Sequence, residues 1–329
     1  MATFGEITQT LLYEKENYGA LYHCVHALHD FYAGITGISA DQANDNNIDL
    51  PTGKAISPGQ AANCLLDLQR TAVFLRGIHK SILQLQKDFP DQPIHILYAG
   101  CGPYASLLTP ITTMFGPEQV RYHLMDVHEA SLTSVKKLYE RLQATNYIEE
   151  FICVDASTYR IDKPIHLVIV EAMQLALIKE PQVAITQNLL PQMMDKAIFL
   201  PQEISITAQL LDLEQENNSY WVGGAQPTRV NLGEIYRIGQ AQFRDQKPVV
   251  IQIPSSVGSH DELHLLTEVT VYEDEKLMIN NSGITVPLYV ANVTSALGKE
   301  VRFEYEIGEK PGFRSEILKS PPEVASTGK

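Results

Sequence analysis

Between Pro93 and about Leu200, short apolar runs alternate with longer stretches that have helical spacing. The runs have the length of strands and lie at Ile94–Ala99, Arg121–Asp126, Phe151–Val154, Ile165–Val170 and Ala197–Phe199. The intervals between them are long enough for crossover helices. The alternation therefore predicts an α/β fold with a parallel sheet built from right-handed βαβ units.

The flanking regions have different patterns. Residues 4–40 carry helical apolar spacing, and residues 41–49 are polar and are expected to form a loop. A second helical pattern starts at Ser57-Pro58 and extends to Ile78, with Pro58 suited to the first turn. After Leu200, β-type runs recur between turn residues at Ile204–Leu211, Val249–Ile253, Leu263–Tyr272, Thr285–Val290 and Val301–Ile307. We therefore predict a helical cap at 1–92, an α/β domain at 93–200, a β domain at 201–318 and a flexible tail at 319–329.

Composition excludes several classes of partner. Twenty-five Lys and Arg against 39 Asp and Glu give a net charge of −14, which repels nucleic acid and anionic lipid. No apolar stretch approaches the roughly 20 residues of a membrane span, and no signal peptide is visible. The four cysteines are widely spaced, which favours reduced thiols and a cytoplasmic location. Helix geometry separates His23, His26 and His29, so no metal site is predicted.

A glycine-containing turn follows the first predicted strand. Residues 98–105 read Tyr-Ala-Gly-Cys-Gly-Pro-Tyr-Ala and precede a stretch with helical spacing. Gly100 and Gly102 thus stand at a strand-to-helix turn, where the backbone can approach a ligand closely. The pattern fits two cofactors, a dinucleotide or S-adenosylmethionine. Asp126, which ends the next strand, would bind the ribose of either one.

Two further strand ends carry acids. Asp155 follows the third strand, where it could accept the exocyclic amine of adenine, although a helix N-cap or a surface turn explains it equally well. Glu171 ends the fourth strand, and Glu180 follows nine residues later. A continuous helix would point these two carboxylates to opposite faces, but Pro181 disfavours that helix. The segment 172–179 is therefore expected to double back, so that both acids converge on a cation such as a guanidinium.

These motifs together resemble the protein arginine N-methyltransferase family. Glu171, Met173 and Glu180 match the family's double-glutamate loop, and residues 67–74 resemble its D-x-x-R-T-x-x-Y stretch. Phe199-Leu200-Pro201 lies where the family passes from a Rossmann-like domain to a β-barrel-like domain. The resemblance implies S-adenosylmethionine as cofactor and a homodimer with a dimerisation arm around Asn217–Arg229.

The resemblance also implies roles for particular residues. Glu171 and Glu180 would be catalytic, and together with Met173 they would bind the substrate. The implied cofactor-binding residues are Arg70, Tyr98, Gly100, Cys101, Gly102, Asp126, Val127, Asp155 and Ala156. Arg70 corresponds to the family's arginine that binds the methionine carboxylate of the cofactor.

The sequence departs from the family in three places. Tyr98 stands where the family has an acid, no Thr-His-Trp triplet occurs, and the N-terminal Tyr-Phe-x-x-Tyr signature is missing. Because the last two elements shape the groove for protein arginine, we expect a guanidino N-methyltransferase that favours free L-arginine or a related small molecule. The alternatives are a protein arginine methyltransferase, a nicotinamide-dependent oxidoreductase that uses the glycine turn, and a non-catalytic protein that retains the fold.

Overall fold

The computed structural model describes residues 2–40, 46–222, 225–240 and 247–318. The amino-terminal part contains helices α1 (Phe4–Tyr13), α2 (Tyr18–Thr36), α3 (Pro58–Cys64) and α4 (Leu68–Asp88), and strands β1 (Ile48–Leu50) and β2 (Gly53–Ala55). None of the described helices is long and apolar enough to cross a membrane.

Local capping sets the starts of these helices. The Thr3 hydroxyl accepts from the Glu6 amide in a capping box, and Asn17 caps α2. Pro58 lies in the first turn of α3, as predicted, with Ser57 as its N-cap. The second helical pattern is divided, because Asp67 caps a new helix by accepting from the Arg70 amide at 3.2 Å.

The predicted loop at 41–49 needs a partial correction. Residues 41–45 lie outside the described residues, and residues 48–50 form strand β1. This strand pairs antiparallel with β2 in a tight hairpin, with Leu50 opposite Gly53. Three-residue strands that end at a turn do not produce a recognisable alternation in the sequence.

The five strands predicted from the alternation form one parallel sheet. They are β3 (Ile94–Ala99), β4 (Val120–Asp126), β5 (Ile148–Cys153), β6 (Leu167–Val170) and β7 (Ile198–Leu200). The strand order is β5-β4-β3-β6-β7, so the order reverses beside β3. Open parallel sheets bind ligands outside the carboxyl ends of their strands at such a reversal.

The crossovers are less helical than the sequence suggests. Helix α5 (Glu129–Arg141) joins β4 to β5, and α6 (Gln182–Leu189) joins β6 to β7. The expectation of a helix after the glycine turn was wrong: residues 103–109 form turns, followed by a 3-10 turn at Pro110–Thr113. Two physical features oppose an α-helix here, since Pro103 and Pro110 lack amide donors and Ala105 has a φ of 44°.

The second half is a β domain, as predicted. It contains β8 (Glu203–Leu211), helix α7 (Leu213–Val222), β9 (Arg229–Gly239), β10 (Val249–Gln252), β11 (Glu262–Tyr272), β12 (Glu275–Leu277), β13 (Leu288–Asn292), β14 (Glu300–Glu306) and β15 (Gly312–Ile317). Two antiparallel sheets have the orders β12-β11-β8-β9, with β13 also on β11, and β10-β14-β15. Sequence reasoning missed α7, β9, β12 and β15. Strand β9 pairs with β8 across two register shifts, which disturb its alternation.

The β domain packs directly on α4. Gly77 makes this possible, since a Cβ there would lie 2.6 Å from Val271 Cγ1. The buried Arg76 donates from Nε to Glu275 Oε2 at 2.8 Å. At the start of the helix, Asp67 Oδ2 accepts from the Ser282 hydroxyl at 2.6 Å and from the Gly283 amide at 2.9 Å. One hydrophobic core runs through the helices, the parallel sheet and the β domain. This shared core fixes the positions of the three parts relative to one another.

Candidate functional site

The glycine turn after β3 is held by the neighbouring strand. The amides of Gly100 and Cys101 both donate to the Met125 carbonyl at 2.9 Å, and the Gly102 amide donates to Asp126 Oδ2 at 2.8 Å. Gly100 and Gly102 have φ values of 74° and 65°, a conformation that glycine adopts without steric cost. The sequence therefore identified the turn and the need for glycine correctly, although no α-helix follows it.

A cavity with an empty volume of ≈ 870 Å³ lies at the carboxyl edge of the parallel sheet. All nine residues that the resemblance implied for cofactor binding line it: Arg70, Tyr98, Gly100, Cys101, Gly102, Asp126, Val127, Asp155 and Ala156. Glu171 and Glu180 line the same cavity. Strand ends that are far apart in the sequence thus meet around one space.

The two aspartates use their carboxylates locally. Asp126 Oδ1 accepts from the His128 amide at 2.8 Å, in addition to the bond from Gly102. Burial raises the pKa of Asp126 above its usual value, and these backbone donors oppose the shift. Asp155 Oδ1 accepts from the Ser157 amide at 2.8 Å. Each carboxylate has about four acceptor positions, so both retain capacity for hydroxyl or amine donors.

Tyr98 occupies the position where the family has an acid. Its side chain is buried and contacts the Ser106 hydroxyl, and burial raises the pKa of its phenol. The group therefore remains a neutral donor and acceptor near pH 7. A neutral hydroxyl here leaves the cavity less negative than an acid would.

The segment between Glu171 and Glu180 doubles back. It contains a 3-10 turn at Leu175–Leu177, and Ala176, Leu177 and Lys179 have φ values of 49°, 57° and 68°. Such conformations are costly for residues with side chains, and they cluster at functional sites. Pro181 then precedes α6. The chain thus reverses direction between Glu171 and Glu180, as Pro181 predicted.

Backbone hydrogen bonds from distant parts of the chain hold this loop. The Thr267 hydroxyl accepts from the Ala176 amide at 2.9 Å, and the Tyr305 hydroxyl donates to the Leu177 carbonyl at 2.7 Å. The Lys179 amide donates to the Pro311 carbonyl at 3.0 Å. The β domain thus determines the shape of the loop. Sequence reasoning missed these residues, because a threonine or tyrosine in a strand carries no signal that it supports another segment.

Arg70 interacts with both glutamates. Its guanidinium forms an ion pair with Glu171 Oε2, and its positive charge lowers the pKa of Glu180, although burial raises that pKa more strongly. Glu171 and Glu180 are each only 7% exposed. Within the described residues, Glu171 Oε1 is buried and has no hydrogen-bond partner. A buried carboxylate oxygen without a donor is unfavourable, and an additional N–H group would satisfy it.

A second cleft adjoins the cavity. It is lined by Gln60, Asn63, Asp67, Met173, Gln174, Gly283 and Ile284, and it shares Ile56, Cys64, Arg70 and Glu180 with the cavity. The predicted substrate residue Met173 lies in this cleft and not in the cavity. Arg70 and Glu180 therefore stand on the boundary between two spaces, which is suitable for a reaction between two bound molecules.

The predicted dimerisation arm corresponds to the end of α7 and the start of β9. Arg229 forms two hydrogen bonds to Glu216, at 2.6 and 2.9 Å, so the base of this segment is closed by an ion pair. Residues 223 and 224 lie outside the described residues. The role of the segment in a homodimer stays a prediction.

Comparison with known proteins shows the fold. The sequence matches no family model and no curated protein. The structure is similar to a solved chain of the Trypanosoma brucei PRMT1 enzyme-prozyme heterotetrameric complex with AdoHcy, with a TM-score of 0.56 at 10% sequence identity. The match covers 81% of this chain and 95% of the other. It confirms the predicted fold class, a Rossmann-like domain with amino-terminal helices followed by an antiparallel β domain.

Proposed function

We propose that this protein is an S-adenosylmethionine-dependent N-methyltransferase that acts on a guanidinium nitrogen. One observation carries the proposal: Glu171 and Glu180 line the same cavity, Glu180 also lines the second cleft, and a buried oxygen of Glu171 lacks a donor among the described residues. A planar guanidinium has five donors and can satisfy two carboxylates at once.

The cavity residues fit the cofactor. Asp126 and Asp155 offer acceptors for ribose hydroxyls and an adenine amine, and Arg70 offers a cation for a carboxylate at the end nearest the glutamates. The similar solved chain belongs to a complex with AdoHcy, the product of S-adenosylmethionine, which supports this assignment. When bound, the cofactor supplies an electrophilic methyl group on a sulfonium.

The glutamates would prepare the acceptor for attack. A free guanidinium is a poor nucleophile because its lone pairs are delocalised and it stays protonated. Glu171 Oε1 and the Glu180 carboxylate would orient the group toward the cavity, hold its positive charge on the nitrogens they contact, and leave electron density on the third nitrogen. Orientation and electrostatics would therefore supply most of the rate enhancement. Glu180 would take the proton that the nitrogen releases.

The shape of the second cleft favours an arginine within a peptide. Asp67 and Gly283 line both this cleft and a further groove on the β domain, which also contains Glu216, Asn217, Asn280 and Asn281. A continuous groove lined by both polar and apolar side chains gives room for residues on either side of an arginine, which suits a peptide better than a single amino acid. Free L-arginine is the second candidate, because the sequence lacks the family's Thr-His-Trp and Tyr-Phe-x-x-Tyr elements. The similarity to a chain named PRMT1 agrees with the peptide.

The experiment supplies S-adenosylmethionine with a labelled methyl group and compares three acceptors: an arginine-rich peptide, the same peptide with lysine at each arginine, and free L-arginine. We expect label on the arginine peptide and none on the lysine peptide. Label on free arginine alone would select the second candidate. Calorimetric titration with NAD and with adenosylhomocysteine identifies the class of cofactor. Tight NAD binding without affinity for adenosylhomocysteine would favour the oxidoreductase.

A further inference from the structure

The β1–β2 hairpin lies between the cofactor cavity and the glutamate loop. Leu50, Lys54 and Ala55 line the cavity. The Thr52 hydroxyl donates to Ser157 Oγ at 3.2 Å, just beyond Asp155. The hairpin therefore spans from the predicted adenine end of the cavity to the segment that carries Glu180.

Gly53 makes backbone-to-backbone contact with that segment. A Cβ on Gly53 would lie 2.9 Å from the Lys179 carbonyl oxygen, 2.9 Å from the Pro181 nitrogen and 3.0 Å from the Glu180 carbonyl carbon. All three are backbone atoms, which cannot move aside as the end of a flexible side chain can. The φ of Gly53 is 142°, a value that other residues rarely adopt.

The next residue adds a hydrogen bond to the same segment. The Lys54 amide donates to the Lys179 carbonyl at 2.7 Å, while the Lys179 amide donates to the Pro311 carbonyl at 3.0 Å. Lys179 is thus held on one side by the hairpin and on the other by the β domain. Its φ of 68° is unfavourable for a residue with a side chain, so its conformation depends on these two bonds.

We infer that Gly53 is a positioning residue for Glu180, because its close backbone contact fixes the path of the segment that carries this glutamate. The inference rests on the proposed function, in which Glu180 contacts the acceptor. A side chain at position 53 would displace the backbone at Glu180, and displacements of about 1 Å in a catalytic group can cost about a hundredfold in rate.

The test compares Gly53→Ala with Gly233→Ala. Gly233 has a φ of 119°, and its Cβ would have no atom within 4 Å, so its variant reproduces the backbone cost without the collision. In Gly53→Ala we expect kcat to fall about a hundredfold, with KM for S-adenosylmethionine and adenosylhomocysteine affinity within about threefold of wild type. Hydrogen exchange of a peptide covering 172–181 should accelerate by about tenfold. The Gly233 variant should show neither change.

Thr52→Val provides a milder variant that keeps the glycine. It removes the bond to Ser157 at the far end of the hairpin. We expect a smaller fall in kcat and a smaller acceleration of hydrogen exchange at 172–181 than in Gly53→Ala. Equal kcat in the Gly53 and Gly233 variants, or unchanged exchange at 172–181 in both hairpin variants, would overturn the inference. A wild-type chain that methylates no acceptor would count against the proposed function instead, and hydrogen exchange alone would then decide whether the hairpin holds the glutamate segment.

Discussion

The two ends of the parallel sheet both bury ionisable groups, yet they differ in what surrounds those groups. At the carboxyl end, Asp126, Glu171 and Glu180 line an open cavity, and burial raises the pKa of Asp126 and of Glu180. Toward the amino end, His95 packs against both His123 and His166.

The histidines satisfy much of their hydrogen bonding internally. His95 Nδ1 lies 3.1 Å from His123 Nε2, and the His95 amide donates to His166 Nδ1 at 2.9 Å. Burial lowers the pKa of His166 to about 4. Perturbed ionisation thus marks a candidate site only where the groups face a space that a ligand can enter. The following predictions test this distinction.

The largest effect is expected for Glu171→Gln. The variant keeps the shape of the side chain but removes the charge that orients the acceptor in the proposed mechanism, so turnover on the better acceptor should fall by about a thousandfold or more. Adenosylhomocysteine affinity, measured by calorimetry, should stay within about tenfold. Glu150→Gln is the control at the opposite half of the sheet, and its turnover should match wild type. Normal turnover of Glu171→Gln would remove the basis of the proposed mechanism.

Glu180→Gln should reduce turnover by about a hundredfold and change its pH dependence. Burial raises the pKa of Glu180, so the folded protein holds this proton to a higher pH than an ordinary glutamate does. Because the proposed mechanism requires the ionised carboxylate, wild-type kcat should rise with pH as Glu180 loses its proton. The measurement is the pH profile of kcat. If kcat of the variant rises with pH over the same range as wild type, a group other than Glu180 causes the pH dependence.

The histidine cluster should affect stability and leave catalysis unchanged. The pKa of His166 is lowered to about 4 from 6.5, so between these values the unfolded chain binds a proton that the folded chain does not. The free energy of unfolding should therefore decrease by roughly 3 kcal/mol as the pH falls through this window. The full free energy of unfolding associated with neutral His166 is present above pH 6.5.

His166→Asn distinguishes the contribution of His166 to the pH dependence of stability from the contributions of the other acidic and basic groups. The asparagine oxygen can accept the His95 amide hydrogen as Nδ1 does, but it does not titrate. Denaturant unfolding at several pH values should show that the free energy of unfolding falls less steeply with decreasing pH in the variant than in wild type. Turnover of the variant at pH 7.5 should stay within about twofold of wild type. The same pH slope in both proteins would assign the loss to His95, His123 or the carboxylates.

Tyr98→Phe should give the smallest effect. Removal of the hydroxyl leaves the ring packing in place and deletes one hydrogen-bonding group from the cavity wall, so adenosylhomocysteine should bind about three- to tenfold more weakly. Tyr122→Phe on the neighbouring strand is the matched control, because the Tyr122 hydroxyl is buried and has no hydrogen-bond partner within the described residues. Weaker binding in the control would point to a general packing effect.

The sequence predicted the elements whose signal is local. The five parallel strands came from apolar runs, the turn after the first of them from Gly100 and Gly102, and the reversal from Pro181. The positive φ values of Ala176, Leu177 and Lys179 could not be predicted, because residues with side chains adopt them only under tertiary constraint. The supports at Thr267 and Tyr305 were missed for the same reason, since their partners lie far away in the chain.

The Pro311 carbonyl that receives the Lys179 amide has a consequence for biosynthesis. A ribosome makes the glutamate loop well before it makes the residues that fix it. During translation, the loop acquires its final geometry only when the strands that hold it have left the exit tunnel. A nascent chain that stalls before residue 311 would thus contain both glutamates but lack the hydrogen bond that fixes the loop between them.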